Sequence, residues 1–120
     1  MAESRLLVAC LCAAWCGACR EYRPVFEALA AQFAGQAEFA WIDIEDDSDA
    51  LGDPDIENFP SLLLADAEIL RFLGPVTPQA QTAERLIRRA LDGALPAADA
   101  GGDALATRVR ALVAGRRAPA

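Results

Sequence analysis

The sequence predicts an α/β protein: a βαβ unit, a short helix, a ββα unit and one added C-terminal helix. Three observations predict it. Residues 6–12 (Leu-Leu-Val-Ala-Cys-Leu-Cys) are a short apolar run leading into a turn, the pattern of a fully buried strand. Residues 16–34 switch to helical spacing, and residues 37–44 return to strand spacing. A helix that joins two strands sets them parallel. At 120 residues the chain has room for one domain, and 54% hydrophobic against 24% charged residues favours a packed core.

In the first strand, alternation puts Leu6, Val8, Cys10 and Cys12 on one face. In the helix, Val25, Phe26, Leu29 and Phe33 form the apolar stripe, Pro24 predicts a kink and Gly35 a stop. The second strand, Ala-Glu-Phe-Ala-Trp-Ile-Asp-Ile, alternates and then turns apolar. Residues 45–57 are an acidic connection in which Asp53-Pro54 has the form of an N-cap and first residue of a short helix, and Phe59-Pro60 then interrupts the chain. Residues 61–65 and 69–73 read as an antiparallel hairpin, although Asp66-Ala67-Glu68 lacks the usual turn Gly or Asn. Thr77-Pro78 is expected to cap a helix ending near Leu91, with Ala80, Ala83, Leu86, Ile87, Ala90 and Leu91 as its stripe. The domain is thus expected over residues 1–92, followed by a linker over 93–102. An amphipathic helix over 103–114, carrying Leu105, Val109, Leu112 and Val113, is expected to dock on the domain, with a frayed tail over 115–120.

Composition narrows the chemistry. Eleven basic residues against eighteen acidic give a net charge of −7, which offers no general attraction to nucleic acid or to an anionic membrane surface. Every basic residue is Arg and there is no His, which excludes His-based triads, His metal ligands, Lys Schiff bases and a P-loop Lys. The longest uncharged stretch, Leu6 to Cys19, has fourteen residues, short of the roughly 20 that a spanning helix needs. Leu7-Val8-Ala9-Cys10 has the form of a lipoprotein cleavage box, but only four apolar residues precede Cys10, where a signal needs about 7–15. The default expectation is the cytoplasm, where thiols stay reduced.

All four cysteines, Cys10, Cys12, Cys16 and Cys19, fall within ten residues. A cluster that tight cannot staple distant loops, so the cysteines are read as chemical rather than architectural. Cys16-Gly17-Ala18-Cys19 opens the first helix, where unpaired N–H groups and the positive dipole end are expected to lower the Cys16 pKa below the free value of about 8.5. Cys19 returns to the same face one turn later, placed to attack a mixed disulfide formed by Cys16, which is a two-step dithiol exchange. Zinc sites use the same Cys-x-x-Cys spacing, so the motif gains its force from the strand-to-helix context.

Ala14-Trp15-Cys16-Gly17-Ala18-Cys19-Arg20, the internal Pro24, Ile42-Asp43-Ile44-Glu45, Phe59-Pro60-Ser61-Leu62-Leu63-Leu64 and Gly74 together resemble the thioredoxin superfamily over residues 6 to about 91. The resemblance implies a thioredoxin fold, here a minimal three-layer version that starts at the strand before the active site and adds a C-terminal helix. It implies that Cys16 is the exposed nucleophile, Cys19 the buried resolving thiol, and Pro60 the residue after a cis peptide bond that frees the Phe59 backbone for an extended substrate. Trp15, Gly17, Ala18, Phe59, Pro60, Leu73 and Gly74 would line a shallow peptide groove. The implied activity is reduction of protein disulfides by a monomer without a bound cofactor or metal, recharged by an electron donor such as a thioredoxin-reductase-like protein.

The sequence also departs from that family. Ala18 stands where thioredoxin has Pro, which leaves the direction of electron flow open. Cys10 stands where thioredoxin has a buried Asp that handles the resolving thiol's proton, and Trp41 where its Lys partner falls. Release of substrate from the mixed disulfide is therefore expected to be slow near neutral pH. Cys10 and Cys12 are read first as small buried hydrophobes, and secondly as an auxiliary redox couple or part of a four-thiolate zinc or iron–sulfur site. The acidic stretch shows no EF-hand spacing and reads as a solvated loop. Two alternatives stand beside the reductant: an oxidant or isomerase of exported proteins, and a non-enzymatic binding or metal-binding module.

Overall fold

A strand of seven consecutive uncharged residues is stable only if both of its faces are covered, and β1 (Leu6–Cys12) is buried at every position. The computed structural model describes residues 6–13, 17–44, 60–66, 69–76, 79–96 and 103–117. Within these, β1 lies second in a four-stranded sheet of order β2-β1-β3-β4. β2 (Ala37–Asp43) runs parallel to β1, and β3 (Ser61–Asp66) and β4 (Ile69–Pro75) complete the sheet antiparallel. In this register Cys10 lies between Trp41 of β2 and Leu62 of β3.

The two helices expected from the βαβ and ββα units occupy the same side of the sheet. α1 (Gly17–Gln32) buries Cys19, Tyr22, Phe26 and Leu29, and continues through Pro24. α2 (Ala80–Leu91) buries Ala83 and Ile87. Both pack with Leu6, Val8, Cys10, Cys12, Leu62 and Leu64. Gln32 Nε2 ties α1 to α2 by donating to Glu84 Oε2 at 3.0 Å. Together with Arg88, this donor holds the Glu84 carboxyl below the usual carboxylate range. Glycine ends both connections: Gly35 (φ 86°) follows α1, and Gly93 (φ 74°) follows α2, where its N–H donates to Ala90 O at 3.2 Å.

The opposite face presents Leu7, Ala9, Leu11, Ile42, Leu63, Ala65 and Leu70, and α3 (Asp103–Arg117) covers it with Ala106, Val109 and Val113. The guanidinium of Arg110 donates to Ala65 O at 3.1 Å across this contact. The C-terminal helix thus docks on the sheet, and its role is larger than an appendage: among the described residues it is the helix that supplies the third layer.

Several expectations are corrected. The N-cap of α2 is Gln79, which makes no side-chain capping bond, and Ala80 is exposed rather than part of the stripe. Thr77 and Pro78 lie outside the described residues, as does the expected short helix at Asp53-Pro54. The last helix continues to Arg117 instead of ending at 114, because one Gly in a run of Ala, Leu and Arg costs only about 1 kcal/mol. β4 also runs two residues further than expected, to Pro75, and the hairpin carries a register shift between Leu64 and Ala65. No helix among the described residues is long and apolar enough to cross a membrane.

Candidate active site

The C-terminal end of β1, the start of α1 and the start of β3 meet at one edge of the sheet. β1 delivers Cys10 and Cys12 to the α1 side, 0% and 2% exposed, and Ala13 continues buried. Trp15 and Cys16 lie outside the described residues. The chain re-enters at Gly17, and the first turn of α1 exposes Gly17 and Ala18 while burying Cys19 to 2%. That alternation follows from the helix repeat, since Cys19, Tyr22 and Phe26 lie on one stripe facing the sheet. Pro60 is buried immediately before β3, where its carbonyl accepts from Val76 N at 3.1 Å. Ser61 pairs with Leu11, which brings Pro60 to the same edge as Ala13 and Cys19. Ile44 N donates to Cys12 O at 2.9 Å and fixes the end of β2 beside them.

A cavity of about 340 Å³ opens at this edge, lined by Cys12, Ala13, Cys19, Arg20, Arg23, Trp41 and Asp43. Two cations and one carboxylate therefore surround an opening that reaches two buried sulfurs. Trp41 forms the aromatic wall, edge-on to Phe26 at 5.7 Å, with the Arg23 guanidinium 5.0 Å from its ring centre. Beneath it, Cys10 Sγ and Cys12 Sγ stand 3.5 Å apart. The hydroxyl of Tyr22 is fully buried and has no hydrogen-bond partner among the described residues. Burial, and then the nearby Cys10 and Cys12 sulfurs, push the Tyr22 pKa up to about 12. Among the described residues no three Cys, Asp or Glu side chains come together as metal ligands.

Of the residues expected at the site, Cys10, Cys12 and Cys19 share one face, and Pro60, Gly17, Ala18 and Gly74 lie at or near the same end of the sheet. Phe59, and with it the Phe59–Pro60 bond, lies outside the described residues. Leu73 does not line a groove on this side: it packs in the opposite core with Leu63 and α3, because strand alternation turns it away from Phe72. Sequence reasoning missed Arg20, Arg23 and Asp43 as cavity walls, and Tyr22 as a buried hydroxyl. The i, i+3 step from Cys19 to Tyr22 was the available signal.

A buried cysteine in the first turn of the helix that follows a central parallel strand, next to a proline that opens an antiparallel strand, defines the thioredoxin fold class. The sequence model of the thioredoxin family matches residues 1–84, so the chain belongs to the thioredoxin family. Solved structures agree. Fasciola hepatica thioredoxin is 26% identical with a TM-score of 0.64, over 72% of this chain and 81% of that one. A thioredoxin from Nicotiana alata is 26% identical with a TM-score of 0.63, over 72% and 73%. A thioredoxin from Trypanosoma brucei brucei, 22% identical with a TM-score of 0.64 over 77% and 80%, shows the fold. No curated protein sequence matches. Family membership supports thiol–disulfide oxidoreductase chemistry in general.

Proposed function

We propose that this chain reduces protein disulfides by dithiol exchange through Cys16 and Cys19. The observation that carries this reading is the burial of Cys19 in the first turn of α1, at the edge where Pro60 enters β3. The Cys16 thiolate attacks one sulfur of a client disulfide and releases the other as a thiolate. Cys19 then loses its proton and attacks Cys16 Sγ, which frees the client and leaves a Cys16–Cys19 disulfide. An extended client segment pairs with the backbone of Phe59 beside Pro60, with Trp15, Gly17, Ala18 and Gly74 around it. A thioredoxin-reductase-like donor returns two electrons, which suits the cytoplasm. With Cys10 at the Asp position of the family, the proton of Cys19 leaves through the cavity, where Asp43 is the carboxylate on the wall.

The test is reduction of a small disulfide-bonded protein by the full chain, with acid quench, alkylation and peptide mass mapping of each cysteine. Wild type is expected to turn over through a two-electron transition confined, at first, to Cys16 and Cys19. Cys16→Ser is expected to fall to background, and Asp43→Asn to slow release of the mixed disulfide while leaving its formation unchanged. Absence of any Cys16–Cys19 transition would overturn the reading in favour of a binding module. A midpoint near about −270 mV marks a reductant, and one near about −120 mV an oxidant.

A further inference from the structure

Between Arg5 and Arg71 the sequence is rich in Asp and Glu and has two basic residues, Arg20 and Arg23, and both line the cavity that reaches Cys19. Their spacing of three puts them on one face of α1. The Arg20 guanidinium folds back over the first turn, its Nη2 3.9 Å from where a Cβ on Gly17 would stand, and that of Arg23 lies 5.0 Å from the ring centre of Trp41. The exposed bond from Arg23 to Glu27 Oε2, at 3.3 Å, is a weak competitor for it. Asp43, at the end of β2, adds a carboxylate to the wall. A volume of about 340 Å³ suits a small molecule, and sulfurs of residues only 2% exposed are more open to a slender thiol than to a cysteine held on a protein surface. The wall selects further. Two guanidinium groups hold a carboxylate by charge-assisted hydrogen bonds. Asp43 repels a second negative charge, which disfavours a phosphate and favours an ammonium on the same ligand.

We propose that this cavity takes a low-molecular-weight thiol with an amino-acid head group, which returns electrons to the Cys16–Cys19 disulfide in place of a protein reductase. This rests on the exchange proposed above for Cys16 and Cys19. The donor carboxylate sits between Arg20 and Arg23, its ammonium faces Asp43, and its thiolate attacks Cys19 Sγ. The Cys16–Cys19 bond breaks with its electron pair leaving on Cys16, the sulfur that the helix N-terminus makes the better leaving group. A second donor thiolate then attacks the donor sulfur of the mixed disulfide, and Cys19 leaves as a thiolate that takes up a proton. Two donor thiols end as one disulfide, Cys16 and Cys19 end reduced, and the two protons the donors lose match those the two cysteines take up.

The test compares free cysteine, 3-mercaptopropionate, 2-mercaptoethanol and cysteamine as reductants of the oxidised full-length chain. They carry both head-group charges, the anion alone, neither, and the cation alone. Each rate is divided by that thiol's rate with the uncharged hydroxyethyl disulfide, which removes differences in thiol pKa and nucleophilicity. Free cysteine and 3-mercaptopropionate are expected about tenfold above 2-mercaptoethanol, with free cysteine the faster of the two and cysteamine slowest. The net charge of −7 acting alone would make cysteamine fastest. That order, or equal normalised rates, would overturn the inference and leave the Cys16–Cys19 reading standing. A chain that forms no Cys16–Cys19 disulfide on oxidation would remove both. Arg20→Ala/Arg23→Ala is expected to bring the two anionic thiols down to the level of 2-mercaptoethanol, and Asp43→Asn to put 3-mercaptopropionate ahead of free cysteine. Each is a ratio within one variant, so changes in folding or in Cys16 reactivity cancel. After rapid mixing with free cysteine and quenching with iodoacetamide, fragment masses are expected to place the donor on Cys19 and the alkyl group on Cys16. The donor on Cys16 instead would overturn the route through the cavity.

Discussion

The two faces of the sheet are built from the same strands and differ in chemistry. The face under α1 and α2 holds three cysteines, Tyr22, further aromatic side chains and, at its edge, a cavity. The face under α3 holds Leu, Ala, Ile and Val, with no sulfur or aromatic group among its described core residues. One residue of β1 goes to the first set and the next to the second, so a single strand serves both. Reactivity and stability are thereby separated by the 2-residue repeat of the strand rather than by distance along the chain. Substitutions on the α3 face should change stability and leave thiol exchange alone, whereas thiol exchange should respond to the cysteines and cavity walls of the other face, whose buried apolar residues also contribute stability.

The largest effect is expected at Val109, which is fully buried against the sheet. Val109→Asp places an unpaired carboxylate there and should cost about 4 kcal/mol or more in denaturant unfolding, enough to detach α3. Leu63→Ala, on the same face, should cost about 2–5 kcal/mol while the Cys16–Cys19 midpoint stays put. A shift in that midpoint would show that the faces communicate through β1 and β3.

Tyr22→Phe sharpens the contrast from the other side. Removing a buried hydroxyl without a partner should leave stability at pH 7 unchanged or raise it by up to about 1 kcal/mol. The pH dependence has a definite sign. The unfolded tyrosine ionises near 10 and the folded one near 12, so between these values the unfolded state binds fewer protons and folding weakens as pH rises. Wild type should lose stability relative to Tyr22→Phe across that window by up to about 1.4 kcal/mol per pH unit, and not below it. Paired urea melts at pH 9 and 11 check this.

The same 2-residue repeat explains what is legible in the sequence. Leu6, Val8, Cys10 and Cys12 share a face in the sequence alternation and in the structure, and the βαβ order emerges from the changes of spacing at residues 16 and 37. Leu73 takes the other side from the one the resemblance implies, because a resemblance carries position along the chain and not which way β4 turns its side chains. The start of α2 differs from expectation because Thr77-Pro78 has the local chemistry of a cap while packing of Ala83 and Ile87 decides where the helix holds. Arg20, Arg23 and Asp43 are invisible as a group in the sequence, since helix and strand bring them together only once α1 lies beside β2. The orphan state of the Tyr22 hydroxyl is likewise a property of its surroundings, which no local pattern records.

The smallest expected effect lies at the edge of the reactive face. Arg23 stands over Trp41 and also reaches Glu27 Oε2 at 3.3 Å, with more than half of its side chain exposed. An exposed ion pair of this kind contributes little, so the cost of Arg23→Ala comes chiefly from removing the guanidinium stacked on the indole, about 0.5–1 kcal/mol. Arg23→Lys keeps the charge but not the planar stack, and should recover less than half of that stabilisation. Glu27→Gln should be neutral by comparison. If Arg23→Ala instead costs as much as Leu63→Ala, the ring of Trp41 is holding the reactive face shut, and the separation between a stabilising side and a reactive side fails at this edge. Urea unfolding of the three variants, with tryptophan emission as the signal in a Trp15→Phe background so that Trp41 alone reports, distinguishes the two outcomes.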